Sequence, residues 1–168
     1  MQSGEELPFF VYGTLMTSFE NHENVVGSRL RDATRATLSE ENQWLFHFHG
    51  FPGLFFRCPP GCESVPPCKA VVGQLLTIKK GEYSAVLADM DHLEGYNEAE
   101  PGSSHYVRVV KMAQLPDGTR VPAYVYEANQ LDVQKEKAEY VSSGDWRQYM
   151  KDTGNVPLGQ DWAASTNK

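Results

Sequence analysis

The sequence has few cysteines, a deficit of basic residues and no long apolar run. Its 168 residues include 3 Cys, and 15 Lys and Arg against 22 Asp and Glu give a formal net charge of −7. A protein that binds duplex nucleic acid needs a basic surface, so nucleic acid is not an expected partner. No run approaches the ~20 apolar residues of a membrane-spanning helix, and a membrane partner is not expected either. The acidic N-terminus, MQSGEELPFF, disfavours a secretory signal and favours a cytoplasmic location.

All three cysteines lie in one Pro- and Gly-rich segment, RCPPGCESVPPCK, as Cys58, Cys62 and Cys68. An odd count in a short loop is a poor disulfide framework, and reduced thiols suit a cytoplasmic protein. The spacing lacks paired Cys-x-x-Cys units, and no His follows until His92, so no metal site is predicted. We interpret the segment as an exposed loop with incidental thiols, and a thiol- or metal-sensing module is an alternative with less support.

Familiar catalytic motifs are also missing. The chain has no G-x-S-x-G elbow, phosphate-binding P-loop, H-E-x-x-H or dinucleotide-binding fingerprint. These absences argue against serine hydrolases, NTPases and zinc proteases, and no cofactor is expected.

The apolar pattern predicts more strands than helices. Short apolar or alternating runs predict strands at residues 8–12, 43–49, 70–78, 105–115 and 120–126, and the segment 51–56 is predicted as a turn leading into another short strand. The turn at Asp117-Gly118 joins the last two strands in a hairpin. We expect the strand at 43–49 to be half-buried, because its aromatic residues alternate with polar ones.

Two helices and one polar segment complete the predicted elements. Apolar residues spaced three and four apart predict a long helix over 80–93, which Gly95 ends. Residues after 126 are predicted as a polar helical segment, followed by a short capped helix that carries Trp146. The pattern indicates an α+β fold, a mixed sheet or small barrel packed on one main helix. Without repeats or linkers, 1–168 is expected to be a single domain with its core at about 8–152 and a frayed C-terminal tail.

The first segment with site-like chemistry is FVYGTLM, residues 10–16. A strand that breaks at Gly13-Thr14 can present consecutive backbone N–H groups, which bind an anion or an oxyanion without a charged side chain. Gly13 would let a ligand approach the main chain, and Thr14 could add a hydroxyl donor. Taken alone, an ordinary strand-ending turn explains this pattern better.

The second segment, MDHLEGY, lies about 80 positions later at the end of the long helix. Met90 and Leu93 are expected to face the core, which places Glu94 at the rim of the sheet with a partly desolvated carboxylate. Partial burial raises the pKa of a carboxyl toward the range that suits proton transfer at neutral pH. The alternative is an ordinary solvated acid at a helix end. The other titratable residues of this turn are expected to be solvated: Asp89, Asp91 and His92.

Together these residues resemble the γ-glutamylcyclotransferase-like family, including its AIG2-like and γ-glutamylamine branches. The resemblance runs in order over about residues 9–150. Thr14 stands where Ser is commoner in the family, which keeps the hydroxyl, and the insertion at 58–68 has no counterpart. The similar segments are VYGTLM at 11–16, MDHLEG at 90–95, YVR at 106–108, YVY at 124–126 and SGDWR at 143–147.

The resemblance implies a small mixed β-barrel with flanking helices and a pocket at one mouth. It also implies an enzyme that cyclises a γ-glutamyl amine or amino acid to 5-oxoproline and releases the amine. One carboxylate can move the proton in such a reaction, and Glu94 is the candidate general acid and base. The implied substrate-binding residues are the main-chain donors Gly13, Thr14 and Leu15 and the pocket walls Tyr12, Tyr106 and Tyr126, one of whose hydroxyls could orient the substrate.

Arg108 is interpreted as the partner of a structural ion pair rather than of a substrate carboxylate, because strand alternation does not fix which face lines the pocket. A non-catalytic protein on the same barrel, which binds a small anionic metabolite or regulates a partner, is the alternative function. The leaving group stays open between an amino acid, a γ-glutamyl-lysine isopeptide and a larger amide, with glutathione less favoured.

Overall fold

A computed structural model describes residues 6–129 and 131–155. None of the helices in these two ranges combines the length and apolar character that crossing a bilayer requires. The strands are β1 Phe9–Val11, β2 Leu30–Leu38, β3 Trp44–His47, β4 Pro52–Phe55, β5 Val71–Ile78, β6 Tyr106–Gln114, β7 Arg120–Ala128 and β8 Glu139–Tyr140. The helices are α1 Glu20–Val25, α2 Tyr83–Glu94 and α3 Trp146–Thr153, with 3-10 turns at Gly27–Arg29 and Pro101–Ser103.

Five of the strands form a closed barrel in the order β1-β5-β2-β6-β7, and the other three form a sheet in the order β4-β3-β8. The short strand β1 closes the barrel, because Phe10 lies opposite Leu75 of β5 and Phe9 lies opposite Tyr124 of β7. The β1–β7 pair is parallel and the other pairs are antiparallel. The predicted α+β fold, a small mixed barrel with flanking helices, is confirmed.

Two apolar clusters share the strand β3. Leu45 packs into the barrel core with α2 and α3, whereas Trp44 and Phe46 pack into a second cluster beneath the three-stranded sheet. The predicted alternation is therefore correct, but the prediction of a half-buried strand is wrong, because all four residues of β3 are buried. Even His47 is buried, and its Nδ1 accepts a hydrogen bond from the indole of Trp146 at 3.1 Å.

The long helix α2 matches its predicted position and end. Gly95 follows it with φ +68°, a left-handed conformation that glycine adopts without strain. Val86 and Met90 face the core as the spacing requires. Leu93 is 39% exposed, so its predicted burial is wrong. The reason is that the side of the last turn that carries Leu93 borders a pocket rather than packed side chains.

Three stretches differ from the sequence-based expectation. The strand β2 and the short helix α1 were not predicted. In β2 the charged residues of LRDATRATL at 30–38 obscure the alternation of the strand. Residues 127–129 and 131–141 belong to a segment predicted as helical, and instead they finish β7 and form turns and the strand β8. Pairing of Tyr140 with Phe46 at the free edge of β3 supplies a tertiary partner that outweighs local helical preference. The tail after Thr153 is predicted to fray, and from residue 156 onward it lies outside the described residues.

The cysteines also differ from the prediction of an exposed loop with reduced thiols. Cys58 and Cys62 form a disulfide with their Cα atoms 5.9 Å apart, because a turn from Pro59 to Cys62 brings the two chain positions together. Cys62 packs into the second apolar cluster, and Cys68 is a buried free thiol in the barrel core. The cytoplasmic location stays a prediction.

Candidate active site

A pocket of about 320 Å³ opens where the end of β1, the end of α2 and the start of β4 meet. Residues from several separated parts of the chain line it, so the fold brings together segments that the sequence analysis treated separately. Every residue predicted for the site is among them: Tyr12, Gly13, Thr14, Leu15, Glu94, Tyr106 and Tyr126.

The loop after β1 is held from both sides by side chains of the barrel and of α3. Gln74 of β5 accepts from the Thr17 amide at 2.7 Å and donates to the Thr17 hydroxyl at 2.9 Å. Arg147 of α3 donates to the Thr17 carbonyl at 2.6 Å, and the ring of Trp146 lies 5.5 Å from that of Phe19. The SGDWR segment thus has a structural role, because it fixes the loop that forms one wall of the pocket.

The main chain of this loop offers free donors. The amides of Gly13, Thr14 and Leu15 donate to no other protein group within the described ranges, whereas the next amide, that of Met16, donates to the Gly13 carbonyl at 3.0 Å. Consecutive unpaired N–H groups on a pocket wall suit a carboxylate or a developing oxyanion. This arrangement supports the function expected for the segment.

Thr14 has a partner that the sequence analysis missed. Its Oγ1 accepts a hydrogen bond from the Asn21 side-chain amide at 2.8 Å, and Asn21 itself lines the pocket. Because the oxygen is already an acceptor, the hydroxyl hydrogen is left to donate elsewhere. Asn21 could not be found from the sequence, since α1, the helix that carries it, was not predicted.

Gly13 is required for a reason besides ligand approach. A Cβ on this residue would lie 2.5 Å from Cγ and 2.9 Å from Cδ of Pro52, the first residue of β4. Real Cβ atoms do not come so close to a stiff proline ring, so only glycine fits without displacing β4. Pro52 lines the same pocket, and its carbonyl accepts from the Tyr106 hydroxyl at 2.7 Å.

Glu94 is the last residue of α2 and the acid of the pocket. Burial raises the pKa of its carboxyl from 4.5 to about 8, although the residue keeps partial exposure through the pocket opening. Its carboxylate has no hydrogen-bond partner among the residues described, so burial alone accounts for the raised pKa. No cluster of three or more His, Cys, Asp or Glu side chains suited to a metal occurs in residues 6–129 and 131–155.

The three pocket tyrosines use their hydroxyl hydrogens within the protein. Tyr12 donates to the Tyr126 carbonyl at 2.7 Å, Tyr106 donates to Pro52, and Tyr126 donates to Asp91 at 2.6 Å. Desolvation first, and then the nearby charge of Glu94, raises the pKa of Tyr12. These tyrosines therefore wall the pocket, and their hydroxyl hydrogens are bound within the protein, so a hydroxyl that orients the substrate would do so as an acceptor.

Arg108 forms the structural ion pair that the sequence analysis favoured. It contacts the carboxylate of Asp91 closely, and its side chain is 9% exposed. The guanidinium carbon also lies 4.8 Å from the centroid of the Tyr124 ring. Asp91 accepts from both Arg108 and Tyr126, so the expectation that Asp91 is simply solvated is wrong.

The comparisons with known proteins agree with this fold. The chain belongs to the family described as gamma-glutamyl cyclotransferase, AIG2-like, whose model matches residues 9–148. The resemblance inferred from the sequence motifs is thereby confirmed. No curated protein sequence gives a significant match.

Solved structures share the fold at low sequence identity. An AIG2-like protein from Mus musculus matches with a TM-score of 0.55 and 19% identity, over 92% of this chain and 97% of that one. YkqA from Bacillus subtilis matches with a TM-score of 0.57 and 17% identity, over 88% of this chain but 42% of YkqA. An Arabidopsis thaliana protein solved in solution matches with a TM-score of 0.53 and 20% identity, over 88% and 84%. At such identities the likeness is one of fold alone.

Proposed function

We propose that the protein is a γ-glutamyl cyclotransferase, which converts a γ-glutamyl amine or amino acid into 5-oxoproline and releases the amine. The observation that carries the proposal is the shared pocket of Glu94 and the unpaired amides of residues 13–15. Membership in a family that includes γ-glutamyl cyclotransferases supports the same activity.

The reaction needs no nucleophile from the protein, because the α-amine of the substrate attacks its own γ-carbonyl carbon. A C–N bond forms and closes the five-membered ring, and the C–N bond to the leaving amine then breaks. An aligned intramolecular attack is equivalent to an effective concentration of ~10⁵ M or more. The protein must therefore orient the substrate, stabilise the oxyanion and transfer one proton.

Glu94 is the group proposed to transfer that proton. It removes a proton from the attacking α-amine nitrogen and delivers it to the nitrogen of the leaving amine, so protons balance over the cycle. The pKa of about 8 for Glu94 lies close to that of an α-ammonium, about 8, so the transfer is nearly balanced in free energy.

The amides of Gly13, Thr14 and Leu15 are proposed to hold the substrate's α-carboxylate or the oxyanion of the tetrahedral intermediate. One well-placed donor to an oxyanion lowers the barrier by about 3 kcal/mol. None of the described residues that line the pocket is Lys or Arg, so the main chain and the Thr14 hydroxyl are the donors proposed for this task.

The test is 5-oxoproline release from a panel of γ-glutamyl amides by the wild type and by Glu94→Gln. We expect Glu94→Gln to lose at least about 10³-fold in kcat while circular dichroism shows an unchanged fold. Glu100→Gln is the matched control, because Glu100 is exposed and lies outside the pocket. Near-full activity of Glu94→Gln would overturn the role assigned to this carboxyl.

A binding protein without turnover is the second candidate, and the unpaired amides at 13–15 favour it equally because they do not depend on Glu94. A wild-type protein that binds a γ-glutamyl amide in calorimetry but forms no 5-oxoproline would select this second function.

A further inference from the structure

The pocket contains an apolar side chain that is not packed into the core of the protein. Leu93 is 39% exposed, which is unusual for the core-facing stripe of an amphipathic helix, and it lines the pocket beside Glu94. The other large exposed apolar side chains in the described ranges, Val110 and Met112, lie on β6 outside the pocket. Leu93 is therefore placed to contact a ligand rather than the protein interior.

The position of Leu93 relates it to one end of the substrate. Under the proposed function, Glu94 protonates the nitrogen of the leaving amine, so the substituent on that nitrogen must pass close to the chain neighbours of Glu94. These neighbours are Leu93 and Gly95, and both line the pocket. A Cβ on Gly95 would lie 3.7 Å from Nδ1 of His105, so the histidine ring borders the same space.

A second apolar side chain borders the same pocket from the three-stranded sheet. Phe51 lies immediately before β4 and is partly exposed. Its ring stacks on that of Phe48 with centroids 5.5 Å apart and planes 13° apart, which holds the ring in place. Phe51 and Leu93 thus offer preformed apolar surface to a ligand that leaves the reacting centre.

The charges of the pocket restrict that ligand. Among the described residues that line the pocket, Glu94 is the only acid, and none is Lys or Arg. Glu94 is committed to proton transfer. A leaving amine with a second ammonium group would therefore find no counter-ion, and one with a carboxylate would find His105 at most.

We infer that the protein releases an amine whose substituent is apolar and carries no charge. Leu93 and Phe51 bind this alkyl or aromatic substituent. This inference rests on the proposed function and narrows its substrate class to γ-glutamyl alkyl- or arylalkylamides. Leu93 acts as a specificity-determining residue, because its contact strengthens with the apolar area of the leaving group.

The test compares γ-glutamyl amides whose leaving amines have matched chain lengths: pentylamine, 1,5-diaminopentane and 5-aminopentanoate. We expect kcat/KM for 5-oxoproline formation to be at least about tenfold higher for the pentylamide than for either charged amide. The γ-glutamyl methylamide serves as the reference substrate without a chain, so that effects on proton transfer cancel in the pentyl-to-methyl ratio.

Leu93→Asn should lower the pentyl-to-methyl ratio of kcat/KM by about fivefold or more, because it replaces the apolar contact with a polar group of similar size. Met112→Asn is the matched control, since Met112 has the same 39% exposure outside the pocket, and it should leave the ratio unchanged.

The outcomes separate the two levels of the proposal. No 5-oxoproline from any of the four amides would refute the proposed function itself. Product from all four with equal kcat/KM, or with a preference for a charged amine, would leave the function standing and refute the apolar leaving group. A preference for the pentylamide that Leu93→Asn does not change would show that Leu93 does not bind the chain of the leaving amine.

Discussion

The hydroxyl of Tyr126 on β7 donates a hydrogen bond to Asp91 on α2 at 2.6 Å, three residues before Glu94. Asp91 also contacts Arg108 of β6, which lies opposite Tyr126 in the β6–β7 register. Two neighbouring barrel strands therefore hold the last turn of α2 through one carboxylate. Since residues three apart lie on neighbouring positions of a helix, this contact helps to fix where Glu94 enters the pocket.

Loss of the Asp91 carboxylate should destabilise the fold. In Asp91→Asn the guanidinium of Arg108, 9% exposed, loses its close carboxylate and keeps only Glu98 at 3.6 Å, and breaking a buried ion pair in this way costs about 3 kcal/mol. We expect the free energy of unfolding, measured in urea, to fall by about that amount. Asp89→Asn is the matched control, because Asp89 is 56% exposed in its pair with Arg29 and should cost less than about 1 kcal/mol. Equal losses in the two variants would contradict this reading of Asp91.

Several elements of the fold could be predicted from local patterns of apolar residues and glycines in the sequence. Periodic apolar residues correctly predicted α2 and the β6–β7 hairpin. Gly95 correctly predicted the end of the helix, because the residue after α2 has a left-handed backbone conformation that glycine adopts most easily. β2 escaped prediction because its barrel-facing residues are separated by charged ones. β8 exists through a partner strand that is distant in the chain.

The site was predictable to the extent that its residues form contiguous motifs. The segments around Gly13 and Glu94 were identified, and both line the pocket. Asn21 and Pro52 were missed, because their contacts to Thr14 and Gly13 arise only when separate elements pack together. For the same reason Asp91 was predicted to be solvated, although it accepts a hydrogen bond from Tyr126. The tyrosine hydroxyls were predicted to contact the substrate, although they donate to groups of the protein.

The raised pKa of Glu94 predicts a pH-dependent cost to stability. The carboxyl titrates near 4.5 when unfolded and near 8 when folded, so between these values the unfolded chain binds fewer protons. The wild type should therefore lose stability as pH rises from about 4.5 to 8, and this loss is absent in Glu94→Gln. We expect Glu94→Gln to be more stable than the wild type by at least about 1.4 kcal/mol at pH 8.5, with the difference vanishing near pH 4.

Denaturant unfolding across this pH range measures the effect, with Glu100→Gln as the control for loss of an exposed acid. A constant difference between wild type and Glu94→Gln from pH 4 to 8.5 would show that the carboxyl is not desolvated.

The same pKa predicts how activity depends on pH. In the free enzyme Glu94 must be deprotonated to accept a proton from the substrate ammonium, so kcat/KM should rise with pH through about 8. At higher pH the substrate's α-amine is already neutral and still carries the proton that the leaving amine needs, so kcat/KM should level off rather than rise further. Initial rates of 5-oxoproline formation from pH 5 to 10 test this, and a rising limb centred near 4.5 would argue against a buried catalytic carboxyl.

Gly13→Ala should affect both stability and substrate binding. The added Cβ would meet Pro52 at 2.5 Å, so β4 must shift, and overpacking of this kind costs about 1–3 kcal/mol. Because Pro52 and Gly13 both line the pocket, KM should rise together with the loss of stability. Gly102→Ala, where a Cβ would meet no atom within 4 Å, should change the free energy of unfolding by less than about 0.5 kcal/mol. A Gly13→Ala variant of wild-type stability and KM would show that the contact relaxes freely.

Thr14 permits a sharper test, because serine and valine separate its hydroxyl from its methyl group. Thr14→Ser keeps the oxygen that accepts from Asn21 and the hydrogen that is free to donate, so kcat/KM should stay within about twofold. Thr14→Val keeps the shape but removes both, which leaves the Asn21 amide without its 2.8 Å acceptor and the substrate without a donor. We expect kcat/KM to fall by about tenfold or more in Thr14→Val. Equal losses in the two variants would assign the effect to packing of the methyl group, and no loss in Thr14→Val would exclude the hydroxyl from substrate binding.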